Sequence, residues 1–161
     1  MKLSDYLYYN DKNAGIQIYC GDCFKVMTLM EPKSVDLVLT SPPFLDKEVA
    51  GDYYSFLDRV IQEVMVVGKW LFMFNSATRL IDICRRTDPR FVMIWNKVFT
   101  MSAYRYEPIF VYTDTEESIW GRGKIFNTCL AYPVKMNNKL HLNENPVELY
   151  TNLIKLRANA V

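Results

Sequence analysis

Hydrophobic residues follow two different periods along this chain, and their alternation predicts the order of its elements. Short apolar runs rich in β-branched and aromatic residues are separated by stretches in which apolar residues recur with the period of a helix. This alternation predicts an α/β layered fold. We predict strands at Ile16–Cys20, Val35–Thr40, Trp70–Asn75, Phe91–Asn96 and Tyr106–Tyr112.

The clearest helical pattern lies between the second and third of these strands. Asp52 precedes it and is predicted to be its N-cap. A second helix is predicted over Ala77–Arg86, where the turn Thr87-Asp88-Pro89 ends it. The apolar positions of the first helix recur on one face: Tyr53, Phe56, Leu57, Val60, Ile61, Val64 and Met65.

A last helix is predicted to open at Asn145-Pro146, with Asn145 as its cap and Pro146 at its first position. Glu148 lies in the first turn, where a carboxylate complements the helix dipole. The segment before it, Thr113–Leu142, has no steady period and is predicted to be a long loop or a small insertion. The apolar face of this helix consists of Leu149, Tyr150, Leu153 and Ile154.

Length and composition fit one compact domain over residues 1–161. The chain has 161 residues, of which 50% are hydrophobic, which is enough for one core. The longest apolar stretch, Val64–Phe74, is interrupted by Gly68 and Lys69 and is shorter than the run of about 20 residues that spans a bilayer. The first residues also lack the pattern of a secretory signal, so we expect an intracellular, cytoplasmic location and no membrane segment.

Net charge and cysteine content exclude few classes of function. The net charge of +1 gives no strong electrostatic signal for nucleic acid binding. Cys20 and Cys23 form a C-x-x-C, but a structural zinc site needs a second pair of ligands. We therefore interpret them as redox-inert thiols at the end of a strand and expect no metal site. Local basic clusters are equally consistent with solvated surfaces or a phosphate track: Arg85, Arg86 and Arg90, then Arg122 and Lys124, then Lys135 and Lys139.

The segment most informative about chemistry is Ser41-Pro42-Pro43-Phe44, directly after the apolar strand Val35–Thr40. It is predicted to lie at the carboxyl edge of the sheet, where open α/β sheets place their ligands. Each proline fixes its own φ and lacks an N–H, so the loop is rigid and can present carbonyl oxygens. The alternative is a plain turn that closes a strand.

These residue types suit the activation of an exocyclic base amino group. Such a nitrogen is a poor nucleophile because its lone pair is delocalised into the ring. If the Ser41 hydroxyl and the Pro42 carbonyl accept hydrogen bonds from both amino protons, a pyramidal nitrogen is favoured and its lone pair points at a methyl donor. Phe44 would stack on a base flipped out of the duplex.

The order of these segments resembles the β-class of DNA amino-methyltransferases, whose catalytic motif reads Asp/Ser-Pro-Pro-Tyr/Phe. Ile16–Cys23, which contains Gly21-Asp22, resembles the segment just upstream of that motif, and Tyr53–Phe74 resembles the helix and strand that follow it. Tyr106–Val111, with Arg105 nearby, resembles the later R-x-x-E-P-I strand. His141–Leu149 resembles the H-P-x-x-K-P-x-x-L segment that opens a helix beside the cofactor.

The resemblance implies a partial Rossmann-like methyltransferase sheet, mostly parallel, with flanking helices. It implies S-adenosylmethionine as cofactor and DNA as partner, and the Thr-Ser-Pro-Pro-Phe form favours cytosine N4 over adenine N6. The implied catalytic residues are Ser41, Pro42, Pro43 and Phe44. The implied cofactor contacts are Asp22, Thr40, Ser41, His141, Asn145 and Pro146.

The chain departs from this family in its cofactor region. The F-x-G-x-G loop expected downstream of His141–Arg157 is missing, and Gly121-Arg122-Gly123 lies in a polar segment and does not qualify. Asn145 stands where the family has lysine. We therefore expect weak or no cofactor binding by this chain alone.

Three explanations stay open: a fragment of a longer enzyme, a short protein completed by a partner or by its own copy, or a non-catalytic relative that binds nucleic acid or a partner. Methyltransferases that act on RNA or on a small amine stay open as well. Missing strands would expose a sheet edge beside the catalytic strand. Such an edge predicts pairing with another chain, for example in a homodimer.

Overall fold

The computed structural model of the protein describes residues 1–44, 51–98, 105–116, 128–134 and 145–158. The helices of these ranges are α1 (Cys23–Met27), α2 (Tyr53–Val67), α3 (Leu80–Thr87) and α4 (Val147–Ala158), and short 3-10 turns cover Leu3–Tyr6 and Ala77–Arg79. The strands are β1 (Leu7–Asp11), β2 (Ile16–Tyr19), β3 (Val35–Thr40), β4 (Gly68–Phe74), β5 (Phe91–Asn96), β6 (Tyr106–Thr113) and β7 (Cys129–Ala131).

The main sheet in the described ranges has five strands in the order β3-β4-β6-β5-β7. β3 is parallel to β4, β6 is antiparallel to both β4 and β5, and β7 is parallel to β5. Four of these five strands thus point the same way, with β6 reversed between them. The prediction of an α/β, mostly parallel sheet with flanking helices is confirmed.

Alternating side chains of the strands build one core on each face of the sheet. Along β4, Trp70, Phe72 and Phe74 point to one face, and Leu71 and Met73 point to the other. The first face is covered by α4 through Leu149 and Leu153. The second face is covered by α2 and α3 through Leu57, Val60, Val64 and Ile83. Full burial of each such side chain contributes roughly 1.5–3 kcal/mol.

Gly68 joins α2 directly to β4 without a loop. Its N–H donates to the Val64 carbonyl, and it is also the first residue of the strand. A Cβ at this position would lie 3.0 Å from Val38 Cγ2 and 3.1 Å from the Val64 oxygen. The close packing of α2 on β3 and β4 therefore depends on glycine here.

The predicted strands differ from the observed ones in pairing more than in position. Val35–Thr40 and Phe91–Asn96 have the predicted bounds. The strand predicted at Ile16–Cys20 ends at Tyr19, and it pairs with β1 in a separate antiparallel hairpin outside the main sheet. β1 was not predicted, because its Leu-Tyr-Tyr-Asn-Asp sequence is short and largely exposed and has no clear alternation.

The segment Thr113–Leu142, predicted to be a long loop or a small insertion, contains strand residues in its described parts. Thr113 is the last residue of β6, and β7 lies at Cys129–Ala131, where only Leu130 is buried. Three residues with one buried side chain are too short to produce a recognisable period.

The helix starts differ by a few residues. The predicted helix Ala77–Arg86 begins as a 3-10 turn and becomes α3 at Leu80, and Asp88 ends it in the left-handed conformation with φ 47°. Helix α4 begins at Val147. The Pro146 carbonyl accepts hydrogen bonds from the Leu149 and Tyr150 N–H groups, so Pro146 occupies the cap position that was predicted for Asn145.

Among the helices of the described ranges, none combines the length and the hydropathy that a membrane span requires.

Candidate active site

The Ser41–Phe44 loop continues β3 at the edge where the parallel strands end. Thr40, half-buried, pairs with Met73 of β4. Ser41 is exposed, Pro42 is buried, and Pro43 and Phe44 are half-buried. The Phe44 ring packs against the core that Phe74 and Leu149 share on the α4 face. The loop therefore combines an exposed hydroxyl with an anchored aromatic ring.

A buried hydrogen-bonded pair lies beside this loop, at the end of β4. Tyr53 is 3% exposed and Asn75 is 0% exposed. The Asn75 Nδ2 donates to Tyr53 Oη at 2.9 Å, and Asn75 Oδ1 lies 3.1 Å from the same hydroxyl. Asn75 Oδ1 also accepts from the Ser76 N–H at 2.8 Å. These bonds connect the first turn of α2 to the carboxyl end of β4.

Arg79 connects the pair to the Ser41–Phe44 loop. Its Nε donates to the Phe44 carbonyl at 3.3 Å, and one Nη lies 3.5 Å from the Tyr54 hydroxyl. Its guanidinium carbon lies 4.1 Å from the centre of the Tyr53 ring, in cation–π contact. The half-buried Arg79 therefore contacts the loop, both tyrosines and, through Tyr53, the end of β4.

The N-terminus of α2 is fixed by Asp52 as predicted. Its carboxylate accepts from the Ser55 N–H at 2.7 Å, and this hydrogen bond lowers the pKa of Asp52. The cap sets where α2 begins, and Tyr53 and Tyr54 are its first two helical residues. Asp52 therefore helps to place both tyrosines against Arg79.

The residues assigned to the cofactor by resemblance lie on different elements. Asp22 caps α1, where its carboxylate accepts from the Lys25 N–H at 3.1 Å. Helix α1 packs on the α2 face of the sheet, whereas Asn145 and Pro146 precede α4 on the other face. Asn145 Nδ2 donates to the Tyr150 hydroxyl at 2.9 Å. His141 lies outside the described residues, as do Arg122, Lys124, Lys135 and Lys139 of the basic clusters.

A cleft opens at the same edge of the sheet, where β5 ends and β6 begins. It has a volume of about 730 Å³ and is lined by Asn96, Lys97, Arg105 and Tyr106, among others. Lys97 Nζ pairs with the buried Glu107 carboxylate at 2.5 Å and lies 4.8 Å from the centre of the Trp95 ring. The cationic head is therefore held in place at the cleft wall.

No three His, Cys, Asp or Glu side chains of the described ranges are grouped as a metal ion would require. Cys20, Cys23 and Cys129 are exposed thiols, and Cys84 is half-buried. Burial raises the pKa of the Cys84 thiol, which makes it less reactive than an exposed one.

Three residues of this site were not singled out from the sequence: Tyr53, Asn75 and Arg79. Tyr53 was predicted only as part of the apolar face of α2. Asn75 offered a usable signal, because a polar residue directly follows the apolar run of β4 at the ligand-binding edge. Nothing in the local sequence of Arg79 indicates that it contacts Phe44.

Comparison with solved structures shows which fold places these residues together. The PvuII DNA methyltransferase, described as cytosine-N4-specific, aligns with a TM-score of 0.64 over 86% of this chain and 68% of that chain, at 14% identity. The chain has a methyltransferase-type fold. Neither a family model nor a curated protein sequence matches it.

A second similar structure comes from Thermus thermophilus and carries a provisional description as a DNA modification methylase. It is 26% identical and aligns with a TM-score of 0.42 over 61% of this chain and 55% of that one. This TM-score is too low to support a conclusion about the fold of the chain.

Proposed function

We propose that this chain is an S-adenosylmethionine-dependent DNA methyltransferase, or part of one, that modifies an exocyclic base amino group. Cytosine N4 is favoured over adenine N6. The observation that carries the proposal is the position of Ser41–Phe44, directly after β3 at the carboxyl edge of a methyltransferase-type sheet. The similar fold of a cytosine-N4-specific enzyme supports the choice of base.

In this mechanism the chain prepares the amino group for attack. The Ser41 hydroxyl and the Pro42 carbonyl accept hydrogen bonds from the two amino N–H groups, while Phe44 stacks on the flipped base. The cofactor, when bound, supplies the electrophilic methyl group on its sulfonium. The cofactor would be left as a neutral thioether, and the methylated nitrogen, held by Ser41 and Pro42, would release one proton to water. No covalent intermediate with the protein is required.

The described residues fit the cofactor only in part. The Asp22 carboxylate is engaged as a helix cap, and the Asn145 amide donates to Tyr150. Each would have to exchange a protein hydrogen bond for a cofactor bond, so the net gain is small. We therefore propose that the chain alone binds S-adenosylmethionine in the millimolar range. Isothermal titration tests this, and a dissociation constant of a few micromolar for the monomer would contradict it.

The position of β3 at one end of the described strand order supports a role for a second polypeptide. Among the described strands, β3 is hydrogen-bonded to β4 and to no other. An added strand from a second copy or from a complementing subunit would pair there, beside the Ser41–Phe44 loop. Light scattering coupled to gel filtration tests for self-association. A chain that stays monomeric at high concentration would leave the complementing subunit as the proposed partner.

A non-catalytic relative that binds a partner protein or nucleic acid is the second candidate. The net charge of +1 favours a partner protein over nucleic acid as its ligand, because a protein that binds DNA through phosphates has a basic surface. The two candidates differ in their response to Ser41→Ala. The enzyme loses transfer and keeps DNA binding, whereas a binding module shows no transfer in either form. For either candidate we propose a cytoplasmic location.

The base is tested with two duplexes that differ only in their target. One offers cytosine and blocks adenine N6 by prior methylation, and the other offers adenine and blocks cytosine N4. We expect N4-methylcytosine from the first duplex in a mass-spectrometric nucleoside digest. N6-methyladenine from the second duplex alone would reverse the choice of base.

A further inference from the structure

We propose that Arg79 is a positioning residue that fixes the Ser41–Phe44 loop for the methyl transfer proposed above, on which this inference rests. Arg79 touches the loop at the backbone, through the Phe44 carbonyl. It reaches this carbonyl from the 3-10 turn after β4, 35 residues further along the chain. Loop and arginine therefore belong to neighbouring strand ends.

The guanidinium is itself held on several sides. It lies 4.1 Å from the Tyr53 ring centre and 5.8 Å from the Tyr54 ring centre, and its Nη is 3.5 Å from the Tyr54 hydroxyl. The Tyr53 ring is in turn fixed by the buried bonds between its hydroxyl and Asn75. A donor with this little freedom determines where the Phe44 carbonyl, and with it the Phe44 ring, can lie.

An arginine is required because the contacts differ in geometry. Its planar group donates in two directions while its face stacks on a ring, and a lysine ammonium cannot do both from one position. Arg79→Lys keeps the positive charge and removes the planar group with its several N–H donors. The positioning role therefore predicts a defect in Arg79→Lys, whereas a purely electrostatic role of Arg79 predicts none.

Arg86 provides the matched control. Its guanidinium carbon lies 4.3 Å from the Tyr54 ring centre, in the same aromatic cluster, and it is exposed on α3. The hydrogen bond from this cluster to the Phe44 carbonyl comes from Arg79. Arg86→Lys thus makes the same chemical change next to the same tyrosine without cutting the contact to the loop.

The position of Phe44 is measured directly by placing 4-fluorophenylalanine there in the full chain and recording its ¹⁹F resonance. Arg79→Lys is expected to displace, broaden or double the resonance, while Arg86→Lys leaves it at the position of the arginine form. An unchanged resonance in Arg79→Lys, or an equal change in both variants, would overturn the inference. This readout does not depend on catalysis.

Methyl transfer by the unlabelled chain, measured at saturating cofactor, separates the inference from the proposed function. We expect Arg79→Lys to lower kcat about 10- to 100-fold, the scale of a small misplacement at a reacting centre, with a smaller change in KM for DNA. Arg86→Lys should keep kcat within about twofold of the parent. If the ¹⁹F signal responds but the parent transfers no methyl group, the proposed function fails for this chain alone, and the positioning of the loop by Arg79 stands.

Discussion

Replacing Tyr53 by phenylalanine tests whether the buried Tyr53–Asn75 pair stabilises the end of β4. The change deletes one oxygen and leaves the ring in place beneath Arg79. The Asn75 carbonyl keeps the Ser76 N–H as a donor, but its Nδ2 loses the acceptor it had at 2.9 Å. Because Asn75 is fully buried, water cannot replace that acceptor, and an unsatisfied buried donor costs about 1–3 kcal/mol.

Tyr112→Phe is the matched control for this change. The Tyr112 hydroxyl lies 2.7 Å from Thr87 Oγ1, which also donates to the Ile83 carbonyl at 2.8 Å. Thr87 therefore keeps a partner when the Tyr112 hydroxyl is removed, and the expected cost is only that of an ordinary hydrogen bond, about 0.5–1.5 kcal/mol.

The assay is urea denaturation followed by circular dichroism and by tryptophan fluorescence. We expect a lower urea midpoint for Tyr53→Phe than for Tyr112→Phe. Unchanged m-values would show that both variants newly expose the same amount of surface on unfolding as the parent. If Tyr53→Phe unfolds at the midpoint of the parent, or later than Tyr112→Phe, Asn75 does not depend on the tyrosine hydroxyl and the argument is refuted.

Ser41→Ala should raise the barrier to methyl transfer by about 2–4 kcal/mol while DNA affinity stays near that of the parent, as measured by turnover and by DNA titration. Phe44→Ala should weaken capture of the flipped base by about 1–3 kcal/mol, measured with a fluorescent base analogue at the target position, and equal capture by both forms would argue against stacking. Burial raises the pKa of Tyr112 to about 12, so the unfolded chain releases this proton first. Stability should therefore fall by roughly 2–3 kcal/mol between about pH 10 and pH 12, and Tyr112→Phe should remove that part of the loss.

The sequence predicted elements well where the apolar pattern is strong. β3 and β5 have the expected bounds because each contains a short apolar run, Leu37–Leu39 and Phe91–Trp95, that is followed by a polar residue. The pattern carries no information on strand order, so it did not show that β6 lies between β4 and β5. It also did not show that β2 lies outside the main sheet and pairs with the exposed β1 in a hairpin.

In the candidate site, too, the sequence indicated the local feature and did not indicate the tertiary contacts. Ser41–Phe44 was singled out because two prolines directly after a mainly apolar strand form a local signal. The contact of Arg79 with the Phe44 carbonyl joins two loops whose distance is set by the pairing of β3 with β4. The hydroxyl–amide pair of Tyr53 and Asn75 likewise depends on how α2 crosses the sheet. Such tertiary contacts have no periodic pattern in a single sequence.

The most direct test of the account is methyl transfer by the purified chain with isotope-labelled S-adenosylmethionine at several times its dissociation constant, about millimolar. A cytosine-containing duplex is the substrate, and nucleosides are identified by mass spectrometry. The account predicts labelled N4-methylcytosine from the parent chain and far less from Ser41→Ala at equal protein concentration. Equal yields from both forms would contradict the assignment of Ser41–Phe44 as the catalytic loop, and no labelled nucleoside from the parent would contradict methyl transfer by this chain without a second polypeptide.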